Sequence, residues 1–142
     1  MSYSCQLVLR QQSVREACGP PLKCGHDVAE LCSASRSLDK ETFFVASLDQ
    51  KNRVIDVHLV SLGTLTGAPV HPREVYRPAL ADGAAAVAFV HNHPSGSPEP
   101  SRDDREITAR LLEAGKLLGI RVLDHVIVGR DSHFSFVEEG LM

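Results

Sequence analysis

Apolar residues recur along this chain at two spacings, one typical of strands and one typical of helices. Runs rich in β-branched and other apolar residues, bounded by turn residues, predict five strands. These runs cover residues 42–48, 53–60, 84–90, 121–129 and 133–137. The polar segment Asp49-Gln50-Lys51-Asn52 separates the first two runs, which predicts that they form a hairpin.

Three helices are predicted between and before these strands. Apolar positions recur every three or four residues from Ile107 to Leu118, behind an N-cap candidate at Ser101 and before the C-cap glycine Gly119. A second helix opens at His71-Pro72 and ends at Asp82-Gly83, and a short one covers about 26–35. The resulting order predicts one α/β domain, in which helices pack on a mixed β-sheet.

Composition narrows the class of protein. The 142 residues fit a single domain, and 43% hydrophobic residues with only 5% aromatics predict a mostly aliphatic core. The net charge of −3 gives no sign of the excess positive charge that nucleic-acid-binding proteins usually carry. No apolar run approaches the ~20 residues that span a membrane, and no signal peptide is recognisable. We therefore expect a cytoplasmic protein.

The first part of the chain carries little pattern. Residues 1–25 are expected to form an N-terminal extension, with one short strand candidate at Gln6–Leu9, and the domain is expected to cover 26–142. Cysteines stand at positions 5, 18, 24 and 32 without a C-x-x-C pair. Reduced thiols are therefore expected rather than a structural zinc site.

The strongest chemical signal follows the apolar run 84–90. His91 and His93 are two residues apart, so in an extended segment both side chains point to one side and can reach one ion. A loop stiffened by prolines then leads to Ser101, and Asp104 lies in the first helical turn, where its carboxylate can face back to the strand. Two imidazoles and one carboxylate leave a fourth position open, as in catalytic zinc sites.

Other interpretations of these residues remain open on the sequence alone. The pattern Ser101-x-x-Asp104 is also that of a helix cap without a metal. Asp103 is a rival ligand, although neighbouring helical residues differ by roughly 100° around the axis and the register favours Asp104. A base near the metal has to come from outside the loop. Glu41, at the head of the strand 42–48, is a candidate, and a solvated charge is the alternative interpretation.

The remaining histidines give weaker signals. His125 follows Asp124 within a predicted strand, where we favour a satisfied strand histidine over one in contact with the site. The others lie near the ends of predicted elements and are interpreted as ordinary surface or cap residues: His26, His58, His71 and His133.

From about residue 26 to its C-terminus the chain resembles the RadC-like branch of the JAB/MPN metalloenzymes, often called JAMM proteins. The resemblance rests on the segments His91–Asp104, Leu48–Arg53, His71–Val75 and Leu117–His125. It implies an MPN/JAB-like fold and one Zn²⁺ per chain, held by His91, His93 and Asp104. It also implies that Ser101 stabilises an oxyanion and that Glu41 activates water. Glu30 and Glu74 stay open as alternatives to Glu41.

The same resemblance implies a zinc-dependent hydrolase of amide bonds, acting on a peptide or protein substrate. Two other functions are consistent with it: a DNA-repair-associated RadC-like accessory protein without peptidase activity, and an inactive MPN scaffold. Because the chain has no excess of basic residues, the DNA-associated function loses its main physical support. Because the chain keeps the ligand pattern, an inactive scaffold is disfavoured. The oligomeric state stays open, a homo-oligomer included.

Overall fold

A computed structural model describes residues 15–63 and 70–142 of the chain. Within these residues, helices flank a five-stranded sheet with the strand order β2-β1-β3-β4-β5. The helices are α1 (Gly25–Leu31), α2 (Pro72–Ala81) and α3 (Arg102–Leu118), and a short 3-10 helix covers Ser33–Ser37. The strands are β1 (Thr42–Leu48), β2 (Val54–Leu62), β3 (Ala86–Asn92), β4 (Arg121–Val128) and β5 (His133–Ser135). The strand candidate at Gln6–Leu9 lies outside the described residues.

The predicted order of elements and the α/β fold class are confirmed, with several boundaries shifted by one or two residues and one predicted helix divided. Strand β3 runs two residues further than predicted, because the ladders to its neighbours continue through His91, opposite Phe43, and Asn92, opposite Val128. The predicted helix over 26–35 divides into α1 and the 3-10 helix. At this junction the Ser35 hydroxyl donates to the Cys32 carbonyl at 2.6 Å, a local bond that competes with a continuous α-helix.

The sheet is mixed, and its topology decides where the loops meet. Strand β1 pairs antiparallel with both β2 and β3, whereas β3 and β4 are parallel. Parallel strands need a crossover, and α3 supplies it. The N-terminus of α3 consequently follows the carboxyl end of β3, which is the edge where sites of such sheets usually form.

Side chains alternate along β3 between two core clusters, one on each face of the sheet. Val87 and Phe89 pack with residues of α2 and α3, whereas Val90 packs on the opposite face with residues of α1. By this alternation His91 continues the row that faces α3, and Asn92 points to the other face. Both side chains are buried.

The hairpin turn between β1 and β2 confirms the prediction from its polar residues. The Asp49 carboxylate accepts hydrogen bonds from the backbone N–H groups of Lys51 and Arg53 at 2.8 and 2.9 Å. Asn52 has a φ of 60°, a conformation that asparagine tolerates better than most residues. The turn therefore needs both the aspartate and the asparagine.

Part of the predicted N-terminal extension joins the domain. Cys18 forms an isolated bridge with Val54, and Leu22 is buried in the core cluster on the α1 side. Cys18, Cys24 and Cys32 are free thiols. Across residues 15–63 and 70–142, no helix has the length and apolar character needed to traverse a bilayer.

Candidate metal centre

Four side chains that the sequence singled out come together at the carboxyl end of β3. Glu41, His91, His93 and Asp104 each offer a ligand atom, and these atoms all lie within 4.8 Å of one another. Glu41 directly precedes β1, His91 lies in β3 with His93 just after it, and Asp104 belongs to the first turn of α3. Glu41, His91 and Asp104 line a cleft of about 410 Å³, which Ser101 also borders.

The spacing of the ligand atoms fits a single ion. His91 Nε2 lies 3.1 Å from His93 Nε2 and 3.1 Å from Asp104 Oδ1, and His93 Nε2 lies 3.1 Å from Asp104 Oδ2. A four-coordinate ion with bonds of 2.0–2.1 Å separates neighbouring ligand atoms by about 3.3 Å. Two imidazoles with a carboxylate are also a donor set that zinc accepts.

Glu41 stands slightly apart from these three residues. Its Oε1 lies 3.8 Å from His91 Nε2, and its side chain is 51% exposed. The carboxylate therefore borders the cleft and remains open to solvent. The alternatives Glu30 and Glu74 do not join the group: Glu30 lies exposed in α1, and Glu74 pairs with Arg77 at 2.9 Å on α2.

The His93 ring is oriented by the loop that follows it. Its Nδ1 donates to the Ser97 carbonyl at 3.0 Å, and its backbone N–H donates to the Val128 carbonyl at 3.1 Å. Because Nδ1 carries a hydrogen for Ser97, the Nε2 atom is the one left to face Asp104. The hydrogen bond with Asp104 raises the pKa of His93 above its ordinary value, against the opposing effect of burial.

Asp104 is both a helix cap and a member of the group, so the two interpretations of the sequence are compatible. Ser101 Oγ accepts from the Asp104 N–H at 3.1 Å, and Asp104 Oδ2 accepts from the Ser101 N–H at 2.7 Å, which is a reciprocal capping box. Burial alone would raise the pKa of the Asp104 carboxyl, but hydrogen bonds with His91 and His93 outweigh it and hold the pKa well below its ordinary value. Asp103, the rival, lines the cleft but is exposed and is not one of the four clustered residues.

The backbone around Glu41 is held by a residue that sequence reasoning missed. Asn92 Oδ1 accepts from Thr42 N and Thr42 Oγ1 at 2.6 and 2.7 Å, and Asn92 Nδ2 donates to the Lys40 carbonyl at 2.9 Å. On the other side, a Cβ at Gly63 would lie 2.9 Å from the Glu41 carbonyl oxygen. The sequence does contain a sign of this role: Asn92 stands between two histidines at the end of a buried strand. Because side chains alternate along a strand, its amide points to the face opposite His91.

The interpretation of His125 as a strand histidine without contact to the site is wrong. His125 is fully buried in β4, and its Nε2 lies 2.8 Å from His91 Nδ1. Its Nδ1 lies 2.6 Å from the hydroxyl of Thr108, and its ring stacks on Phe136 at 4.9 Å. The enclosed surroundings hold the pKa of His125 well below its ordinary value. Parallel pairing of β3 with β4, which brings the two rings together, is not visible in local sequence.

His58 also differs from its interpretation as a residue at an element end. It lies within β2, and its Nε2 donates to Asp82 Oδ2 at 2.6 Å. Asp56, two residues earlier on the same strand, forms an ion pair with Arg15. Asp56, His58 and Asp82 form a second group of clustered ligand types. Their contacts with one another and with Arg15 account for their positions.

Fold and site together define a mixed α/β domain with a candidate single-metal centre at the carboxyl end of a parallel strand. The chain belongs to the RadC-like JAB domain family, whose model matches residues 22–141. It is 58% identical over 103 residues to a UPF0758 protein of Trichlorobacter lovleyi, and the aligned region covers 72% of this chain and 45% of that protein. It is 56% identical over 105 residues to the UPF0758 protein STH371 of Symbiobacterium thermophilum, covering 74% of this chain and 45% of that protein.

A third relative is less similar in sequence. The UPF0758 protein Mbar_A2303 of Methanosarcina barkeri is 47% identical over 107 residues, covering 75% of this chain and 47% of that protein. The chain thus spans less than half the length of the curated relatives it matches.

Proposed function

We propose that this chain is a zinc-dependent hydrolase of amide bonds in peptides or isopeptide-linked proteins, acting in the cytoplasm. The observation that carries the proposal is the convergence of two histidines and one aspartate, with a solvent-accessible carboxylate beside them, at a cleft that Glu41, His91 and Asp104 line. A purely structural ion would favour a closed set of four protein ligands, whereas a catalytic site keeps one position open. The open cleft at Glu41 supports the catalytic kind of site.

The residues of the centre divide between holding the ion and handling protons. His91, His93 and Asp104 would hold the zinc, because their ligand atoms are spaced 3.1 Å apart. Zinc, when bound, supplies a Lewis acid that polarises a carbonyl and makes a water more acidic. Glu41 accepts the proton from the attacking water on its exposed carboxylate and returns it to the leaving amine.

Ser101 has a hydroxyl hydrogen that its capping role leaves free. Ser101 Oγ accepts from the Asp104 N–H, and the hydroxyl lines the same cleft as Glu41. The hydrogen can therefore point into the cleft and donate to the oxygen on which negative charge develops during attack. Removing one such donor typically lowers kcat by about 10²–10³-fold in other hydrolases.

The test is hydrolysis of a panel of peptides and isopeptide-linked conjugates by the zinc-loaded protein, with and without a chelator. We expect chelator-sensitive cleavage that Glu41→Gln abolishes without lowering the zinc content, since glutamine keeps the size of the side chain and loses the base. Glu74→Gln is the matched control and should retain activity, because Glu74 lies outside the site. Stoichiometric zinc with no cleavage of any substrate would indicate a scaffold. Metal-free protein that binds DNA in a salt-dependent manner would favour the accessory function.

A further inference from the structure

A chain of three buried hydrogen bonds connects one candidate ligand to another through residues that the proposed reaction does not use. Thr108 Oγ1 lies 2.6 Å from the Asp104 carbonyl oxygen and 2.6 Å from His125 Nδ1. His125 Nε2 in turn lies 2.8 Å from His91 Nδ1. Thr108, His125 and His91 are each at most 2% exposed, so these bonds are shielded from solvent.

The direction of every hydrogen bond in this chain follows from its first member. A carbonyl oxygen can only accept, so the single hydrogen of the Thr108 hydroxyl must be donated to Asp104. The hydroxyl oxygen is then an acceptor for His125, which means that His125 Nδ1 carries a hydrogen. His125 is fully enclosed and neither of its ring nitrogens contacts a carboxylate, which favours the neutral ring with a bare Nε2.

The contact with His125 decides which nitrogen of His91 donates. A bare His125 Nε2 can only accept, so His91 donates to it from a protonated Nδ1. With Nδ1 committed to His125, Nε2 is the ring nitrogen that would release its hydrogen and give its lone pair to an ion, and it lies 3.1 Å from both His93 Nε2 and Asp104 Oδ1. Phe43 stacks on the His91 ring at 5.8 Å and 15°, and together with the hydrogen bond it leaves the ring one orientation.

We propose that His125, held by Thr108, is a positioning residue that fixes the tautomer and orientation of the His91 ring and so directs its Nε2 lone pair to the metal. The inference rests on the metal-binding part of the proposed function and is independent of the substrate. It also assigns a second purpose to α3, because Asp104 would bind the ion through its carboxylate and accepts from the Thr108 hydroxyl through its backbone carbonyl.

The experiment compares Thr108→Val with Thr108→Ser in the full chain. Valine keeps the shape and removes the hydroxyl, whereas serine keeps the hydroxyl as a conservative rescue. Nitrogen NMR of histidine-labelled, metal-free protein reports which ring nitrogen of His91 is protonated. We expect Nδ1 protonation in the wild type and in Thr108→Ser, and a mixture of tautomers in Thr108→Val. Zinc affinity, measured by chelator competition, should fall about 10–100-fold in Thr108→Val and stay within about twofold in Thr108→Ser.

A second pair of variants acts on the histidine itself. His125→Gln retains an acceptor for His91, and His125→Phe retains the ring against Phe136 but has no acceptor. We expect zinc affinity to decrease more in His125→Phe than in His125→Gln, with circular dichroism confirming that both variants fold. Wild-type His91 without a hydrogen on Nδ1, or unchanged Nδ1 protonation and zinc affinity in Thr108→Val, would overturn the inference. Tautomer and affinity effects without any peptidase activity would leave it standing while the proposed hydrolase fails.

Discussion

At the scale of single residues, several side chains of this domain have two tasks. Asp104 caps α3 and presents both carboxylate oxygens to the histidines. Ser101 accepts in the same cap and borders the cleft. Asn92 continues β3 and holds the backbone on both sides of Glu41. Because each residue serves local structure and the site together, substitutions have to be chosen to separate the two tasks.

Asp104→Asn separates capping from metal binding. The asparagine oxygen can still accept from the Ser101 N–H, so we expect the cap of α3 to persist and circular dichroism to show a folded protein, although the ionic contacts with His91 and His93 are lost. The loss of the anionic ligand should weaken zinc binding by more than about 100-fold. Substitution of residues that only contact the ligands lowers metal affinity by up to about 100-fold, and loss of a ligand itself should cost more. Elemental analysis after gel filtration measures the metal content. Asp103→Asn is the control, and loss of zinc in that variant with retention in Asp104→Asn would reverse the assignment.

The raised pKa of His93 predicts that the stability of the metal-free protein depends on pH. Its pKa is raised from 6.5 in the folded state by the hydrogen bond with Asp104. The protonated ring therefore stabilises the fold at pH values below the unfolded pKa, and the contribution is lost as the pH rises through the folded pKa. We expect the Tm of metal-free wild type to fall relative to that of His93→Gln as the pH rises above about 6.5. Parallel Tm curves for the two proteins would contradict this.

At the scale of elements, the site depends on how tightly the loop after β3 is fastened to the end of β4. The Arg130 N–H donates to the Gly96 carbonyl at 3.0 Å, and His93 N–H donates to the Val128 carbonyl at 3.1 Å. Gly129 makes this approach possible, since a Cβ at that position would lie 2.5 Å from the Gly96 oxygen. The loop that carries His93 is thus positioned by the end of a strand 35 residues further along the chain.

Gly129→Ala tests the fastening of this loop. The added methyl group meets backbone atoms, which cannot rotate away, so the loop has to shift and His93 with it. We expect a loss of roughly 1–3 kcal/mol in stability and a clear decrease in zinc affinity, measured by thermal unfolding and chelator competition. Gly83→Ala is the matched control: it has a φ of 67° and nothing within 4 Å. Backbone strain should destabilise it while zinc affinity stays unchanged.

At the scale of the whole molecule, the centre connects three elements of the fold, and Glu41 lies 50 residues before His91 in the sequence. His91 and His93 come from the middle of the sheet and Asp104 from α3, and the segment bearing Glu41 is tied to β3 through Asn92. A ligand that binds the folded state but not the unfolded state stabilises the entire domain by mass action. The centre should therefore affect global unfolding and not only local order.

Zinc removal is the test at this scale. At a free zinc concentration 100 times the Kd, binding stabilises the folded state by about 2.7 kcal/mol, which corresponds to a rise in Tm of roughly 5–10 °C for a domain of this size. Differential scanning calorimetry with zinc and then with excess chelator measures the difference. The double variant His91→Ala, His93→Ala should show no zinc-dependent shift. An equal shift in that variant would place the stabilising zinc elsewhere.

The local pattern of the sequence by itself determined the types and order of the elements and predicted three residues that the structure brings together. Those predictions depend on short-range regularities: alternation along β3, the cap of α3, and the spacing of His91, His93 and Asp104. Side-chain alternation and helix capping depend on residues only a few positions apart, so a short segment is enough to predict them.

Only the tertiary structure decided which other residues surround the centre. It brought Glu41, rather than Glu30 or Glu74, to the histidines. It also placed His125 against His91, 34 residues away in sequence, and Asn92 against Thr42, 50 residues away. These contacts depend on which strands lie side by side and in which direction. That choice follows from burying both faces of the sheet at once, and no local segment encodes it.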